Sequence, residues 1–193
     1  MSEINDKIKK LNQKGAPVIF FITGNNSTGK TALTKEIIKK YDFYQSVNLG
    51  IISKLLRFFR PDIPVNQLEN FEHNEANIIF NKAIDFMIDS YDSTGVNAIF
   101  DGVQTDTQYL TSNEKVIGGV ILDVEEEIIY VRGEYPNTHF KRSIKEHGIK
   151  NVKYHQNKKF KLIQNNGNFQ ETLLKTEAHL ENLLDDKLKY YEG

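Results

Sequence analysis

The sequence predicts an α/β domain, a parallel β-sheet with helices on both faces. Three observations predict it. Pro17–Thr23 (PVIFFIT) and Val96–Phe100 (VNAIF) are apolar runs of strand length, rich in β-branched and aromatic residues, as strands buried on both faces are. Segments with helical spacing of apolar residues alternate with these runs, which calls for a parallel sheet with crossover helices. A glycine-rich turn joins the first run directly to a helical pattern.

The chain has 193 residues, enough for one domain with a sizeable core. It reads as a single domain over residues 1–193, with insertions near 50–75 and 133–168 that would form a lid and hold a substrate. Hydrophobic residues make up 39% and charged residues 26%, the balance of a globular chain rather than a disordered one. A formal net charge of -1 leaves no global basic field, so tight non-specific binding of nucleic acid is not expected. The absence of cysteine excludes disulfides, Cys-ligated zinc and thiol catalysis. The opening MSEINDKIKKLNQKG is too polar for a signal peptide, and no apolar run approaches the roughly 18 residues of a membrane span. A cytoplasmic location without membrane attachment is the expectation. Oligomeric state is left open.

The elements follow in order. Ile4, Ile8 and Leu11 give Ser2–Lys14 a narrow helical stripe that Gly15 ends. The first strand, Pro17–Thr23, runs into the glycine-rich turn, and a helix over Gly29–Lys40 turns Leu33 and Ile37 inward. Tyr44–Val47 is a short strand. Leu49–Phe59 is a helix stopped by Pro61. Asn74–Tyr91 is a strong amphipathic helix with Ile79, Ala83, Phe86 and Met87 on one face. Val96–Phe100 ends at Asp101-Gly102. Val116–Val124 and Glu127–Arg132 are expected as strands and Asn137–His147 as a helix. Phe169–Tyr190 is a long helix with Leu173, Leu180, Leu184 and Leu188 along one stripe. Lys150–Asn168 fits no element.

One motif carries the chemistry. Gly24-Asn25-Asn26-Ser27-Thr28-Gly29-Lys30-Thr31 satisfies G-x-x-x-x-G-K-[ST] in full. Gly24 lets the chain turn off the strand, and Gly29 lets main-chain amides approach a phosphate unobstructed. Those amides lie at a helix N-terminus, where the dipole favours an anion. Lys30 adds a full positive charge at the β- and γ-phosphates, and Thr31 offers a hydroxyl to Mg²⁺. A chain of this composition matches by chance roughly once in a hundred. The strand before the motif and the helix after it remove most of those accidents. ATP and Mg²⁺ are the expected cofactors.

Other residues gather around this motif. Asp101, at a strand end, suits a carboxylate that orients the metal shell or takes a proton from an acceptor hydroxyl. Gln104 and Asp106 follow it, although Asp106 also suits a helix cap. Lysine supplies all but four of the 25 basic residues, so Arg57, Arg60, Arg132 and Arg142 stand out. Arginine presents a planar fork suited to phosphate or carboxylate. Arg57 and Arg60 are candidates for gripping the acceptor, and Arg142 for a lid. Lys150, Lys153, Lys158, Lys159 and Lys161, mixed with Tyr154, His155 and Phe160, could form a lid, a platform for bases, or a solvated face. His73, His139, His147, His155 and His179 have no metal-ligand spacing and read as surface or locally hydrogen-bonded residues. Asp101-Gly102-Val103-Gln104 lacks the D-x-x-G spacing, and Asn157-Lys158-Lys159-Phe160 lacks the guanine-reading Asp, so a GTPase is not expected.

With GNNSTGKT, GIISKLLR (Gly50–Arg57) and IFDGVQ (Ile99–Gln104) in view, the chain resembles the small P-loop kinases of metabolites and nucleosides. Within that group it looks most like the 2-phosphoglycerate-kinase-type branch. HFKRS, His139–Ser143, is a weaker echo. The resemblance implies the P-loop NTPase/kinase fold with a helical lid. It implies Lys30 for ATP, Thr31 for the metal, Asp101 for metal or base, Arg57 for the acceptor and Arg142 for the lid. Where that family has an Asp opening the GIISKLLR-like helix, this chain has Gly50, with Asn48 nearby. The reaction implied is γ-phosphoryl transfer from Mg-ATP to a hydroxyl of a small anionic metabolite. A nucleoside or nucleic-acid 5′ end is the alternative acceptor. A nucleotide-gated binding protein without turnover is the reading from another class; it would dock a partner on the C-terminal Leu stripe, for which packing on its own sheet is the favoured expectation.

Overall fold

A computed structural model describes residues 2–24, 27–60, 75–102, 107–125, 128 and 157–192. Its elements are α1 (Glu3–Gln13), β1 (Ile19–Gly24), α2 (Lys30–Lys40), β2 (Gln45–Asn48), α3 (Gly50–Phe59), α4 (Glu75–Thr94) and β3 (Ala98–Gly102). They continue with α5 (Thr107–Ser112), β4 (Val116–Asp123), β5 (Phe160–Gln164) and α6 (Phe169–Glu192).

The five strands form one sheet in the order β2-β3-β1-β4-β5, and every pairing is parallel. β1 and β3 are buried along their whole length. Side chains alternate across the strands, so β1 feeds two cores. Phe20 and Ile22 join Ile4, Ile8, Leu33, Ile37, Leu180 and Leu184 under α1, α2 and α6. Ile19 and Phe21 join Ile52, Phe80, Ile84, Ile88 and Leu110 under α3, α4 and α5. Phe21 stacks on Phe100 at 4.9 Å, and Tyr91 meets Phe100 edge-on. Burying each such side chain is worth about 1.5–3 kcal/mol.

Close backbone approach explains two neighbouring glycines. A Cβ on Gly119 would sit 2.3 Å from Phe21 O, and one on Gly118, at φ +148°, would sit 2.3 Å from Lys159 O. β4 can therefore lie between β1 and β5 only with glycine at these positions. Asn97 locks the start of the sheet. Its side chain accepts from Val18 N at 2.8 Å and donates to Asp42 O at 2.9 Å.

Several expectations need correction. The inward stripe of α4 is Phe80, Ile84 and Ile88, with Ala83 and Met87 only partly buried, while Phe86 is 73% exposed. This helix is apolar on more than one face, and the aromatic pocket around Phe100 takes the stripe that ends at Tyr91. Lys150–Asn168 holds a real element, β5, on the edge beyond β4, where a lid insertion was expected. Phe160 is fully buried and Lys159 donates to Asn113 O and Val116 O, so neither serves a base-stacking platform. Glu127–Arg132 does not begin as a strand at its one described residue. Ile128 is helical, its amide donating to Glu125 O. Of the two roles expected for the histidines, His179 takes the hydrogen-bonded one: it is buried and bonds Lys159 O at 3.2 Å. The Leu stripe of α6 packs on its own sheet, the favoured expectation for it, and is not left as a docking face. The expected helix Asn137–His147 lies outside the described residues.

Candidate functional site

Two loops leave the carboxyl edge of the sheet in opposite directions. β1 leads to α2 on one face, and β3 leads towards α5 on the other. In an open α/β sheet, such a reversal between neighbouring strands leaves a crevice at the strand ends. β1 and β3 are neighbours, with Ile22 beside Asp101 and Thr23 beside Gly102. The glycine-rich motif and Asp101 thus meet at that crevice.

The motif takes the shape its residues allow. Gly24 has φ +144°, and a Cβ there would strike Leu122 O at 2.2 Å. Ser27 takes a left-handed conformation at φ 61°, the one non-glycine among the described residues to do so. Thr28 is fully buried. Gly29 is the N-cap of α2 at φ 93°, brings no side-chain cap, and no acidic residue stands in the first turn. The helix therefore presents its positive end without a built-in carboxylate. Lys30, the first helical residue, folds back to donate to Gly24 O at 3.0 Å. Burial draws its pKa down to about 8, and the charge of Asp101 opposes that shift.

Asp101 is 5% exposed. Burial raises its pKa above the usual carboxylate value. The Lys30 charge and the hydroxyls of Thr34 and Thr31 pull it partly back. Thr34 Oγ1 lies near enough to favour the charged carboxylate, yet it makes no hydrogen bond among the described residues, and neither does buried Thr23 Oγ1. Thr31 is exposed at the mouth of the crevice. Its hydroxyl and the Asp101 carboxylate are hard oxygen donors, the kind Mg²⁺ takes when phosphates and water complete its shell. Among the described residues there is no cluster of three acidic, His or Cys side chains that would form a metal cage of protein ligands alone.

A third element starts at the same edge. Asn48 of β2 lies beside Asp101, and Leu49 N donates to Asp101 O at 2.8 Å. α3 then begins at Gly50, whose amide is held by Asn48 Oδ1 at 2.8 Å. No acidic residue occupies its first turn. Arg57 belongs to the later part of α3, and Arg60 follows its end, half-buried. Asn25, Asn26, Gln104, Asp106, Arg132 and Arg142 lie outside the described residues, as do Lys150, Lys153, Tyr154 and His155.

Sequence reasoning missed Asn165. It follows β5, is 3% exposed, and donates to Thr28 O at 2.7 Å. Its own Oδ1 accepts from Thr172 Oγ1 at 2.9 Å, and its amide donates to Asp123 O at 2.7 Å. A Cβ on Gly29 would come within 2.6 Å of Asn165 Nδ2. Asn165 thus braces the glycine-rich turn from the far side of the sheet. The only signal for it was position, a polar residue after a strand that was itself not recognised.

Two solved structures share the fold. A sugar kinase from Janibacter sp. HTCC2649 superposes with a TM-score of 0.66 at 13% identity, over 86% of this chain and 95% of its own. A gluconokinase from Sinorhizobium meliloti 1021 gives 0.61 at 12% identity, over 92% of this chain and 98% of its own. At such identity the likeness is one of fold, and the chain shares the fold of these two kinases. No family model matches the chain. No curated protein matches it.

Proposed function

We propose that this chain is an ATP-dependent kinase that moves the γ-phosphoryl group of Mg-ATP to a hydroxyl of a small anionic metabolite. The observation that carries the reading is the meeting of Lys30, Thr31 and Asp101 at the crevice between β1 and β3, behind an uncapped helix N-terminus. Main-chain amides from Gly24 to Thr31, with the α2 dipole and Lys30, would hold the triphosphate. Thr31 and Asp101 would hold Mg²⁺, which when bound neutralises charge on the phosphate oxygens. Asp101, with its pKa raised by burial, is a better proton acceptor than an exposed carboxylate and is the candidate base for the acceptor hydroxyl. The start of α3 at the same edge, free of acidic residues, favours an anionic acceptor. Arg57, Arg60 and Gln104 are its proposed partners, and Arg142 is the proposed lid residue. The likeness of GIISKLLR and IFDGVQ to the 2-phosphoglycerate-kinase-type branch favours a phosphorylated hydroxy acid as that acceptor.

A second reading, nucleotide binding without turnover, is favoured by one feature. The opening of α3 carries Asn48 and Gly50 and no carboxylate. Transfer of labelled γ-phosphate, screened over phosphorylated sugars, hydroxy acids, nucleosides and oligonucleotides, separates the two. Label moving to an acceptor, and lost with Lys30→Ala, supports the kinase. A melting shift with Mg-ATP but no labelled product selects the binding protein. No melting shift at all removes the nucleotide site.

A further inference from the structure

At the amino edge of the sheet, opposite the crevice of Lys30 and Asp101, the chain encloses a cleft of about 590 Å³. It lies below the segments that enter β1, β4 and β5, and the C-terminal part of α6 forms its outer wall. Its volume falls in the range of small-molecule sites.

Its charges are unevenly matched. Lys159 and Lys187 line it, both half-buried. Lys159 Nζ donates to two main-chain oxygens, Asn113 O at 3.1 Å and Val116 O at 3.2 Å. Lys187 Nζ donates to Glu114 O at 2.8 Å. Neither ammonium forms an ion pair among the described residues, whereas Lys115 nearby is satisfied by Asp89 and Asp92, and Asp186 by Lys189. Both ammonium groups are thus held by carbonyls of one short stretch, Asn113 to Val116, on the wall of the cleft. Burial lowers the pKa of Lys159 first and the Lys187 charge lowers it further, with the Glu114 carboxylate opposing; burial also lowers that of Lys187, against the Glu114 and Asp92 carboxylates. Bringing two like charges together out of water is unfavourable unless something anionic meets them. Beside them, Lys187 approaches the Tyr191 ring at 5.9 Å, and Tyr191 meets Tyr190 edge-on at 5.5 Å. Both rings line the cleft, and Tyr190 is 76% exposed at its lip.

We propose that this cleft is a second ligand site, separate from the glycine-rich turn, for a small organic phosphomonoester. Its phosphate lies between Lys159 and Lys187, and its flat or apolar part lies against Tyr190 and Tyr191. A phosphate supplies acceptors for both ammonium groups, and the two phenol rings supply a surface for a ring.

Phenyl phosphate and inorganic phosphate are suitable probes, followed on the full chain by residue-resolved NMR. Saturable shifts at the Tyr190, Tyr191 and Lys187 amides are expected, with phenyl phosphate tighter than inorganic phosphate. They should persist in Lys30→Ala, which disables the other phosphate site. Lys187→Gln should weaken binding about tenfold, the loss of one charge-assisted hydrogen bond. Glu114→Gln, which removes the opposing carboxylate, should tighten it. Shifts that do not saturate, that vanish with Lys30→Ala, or that ignore both Lys187→Gln and Glu114→Gln would overturn the site. Equal affinity for the two probes would overturn the role given to the tyrosines.

Discussion

The Lys30 ammonium sits where burial draws its pKa down to about 8. Below that value the free chain carries the charge, and above it the proton is lost. A triphosphate favours the charged form, so affinity for Mg-ATP should be full below about pH 8 and fall as pH rises through it. Calorimetric titrations at stepped pH check this, and Lys30→Arg, which keeps its charge, should flatten the profile. Asp101→Asn tests the neighbouring group. Turnover should fall by about 10²–10⁴-fold, the range for losing a general base, while ATP affinity changes far less. Steady-state kinetics beside equilibrium binding would show it, and full activity would take Asp101 out of the chemistry. Asn165→Ala should cost about 1–3 kcal/mol in urea unfolding, because Thr28 O and Thr172 Oγ1 lose a buried partner. At this scale the sequence singled out Lys30, Thr31 and Asp101, which the fold brings to one crevice. Asn165 was hidden because any small polar residue after a strand looks the same, and its value comes from a contact 137 residues away.

Elements were legible in proportion to how completely the sheet buries them. β1, β3 and β4 are apolar runs because both faces are covered, and each was found near its observed bounds. β5 is an edge strand in which Lys161 and Gln164 are exposed, so alternation is diluted by charge and the strand reads as loop. α4 was found but turned by one residue. Ile78, Ile79, Phe80, Ala83, Ile84, Phe86, Met87 and Ile88 allow several apolar stripes, and only the rings opposite choose among them. The glycine pair of β4 gives this scale its prediction. Gly119→Val would drive a side chain into Phe21 O and the Phe160 ring, and a loss of about 1–3 kcal/mol or more is expected from overpacking. Chemical denaturation would measure it, and an unchanged midpoint would mean that β4 can move away from β1.

Taken whole, the molecule ties its C-terminal helix α6 to α1 and α2. Lys7 reaches Glu181 at 3.0 Å and Asp185 at 2.9 Å, and Lys40 reaches Glu177 at 2.9 Å. Beneath α6, His179 has its pKa lowered, by burial first and by the Lys161 charge as well, with its bond to the Lys159 carbonyl opposing. A depressed histidine is neutral in the fold and takes a proton more readily when unfolded. Its contribution is complete above the ordinary value of 6.5 and is lost as pH falls from there towards the lower folded value. Urea unfolding at stepped pH should show stability declining through that window, and His179→Gln should reduce the slope. The fold class was legible because alternating strands and helices leave few ways to build a sheet. The order of the strands was not, because β5 carries no strong pattern of its own.

That order has a bearing on synthesis. The glycine-rich turn is spelled out before residue 32, yet the side chain that steadies it is spelled out at Asn165, and the strand covering β4 begins only at Phe160. A ribosome therefore releases β4, complete at Asp123, before the strand that covers it and before the side chain that braces the glycine-rich turn. Messages cut short before Phe160 would yield chains with a bare β4 edge, fit for degradation rather than for weak activity.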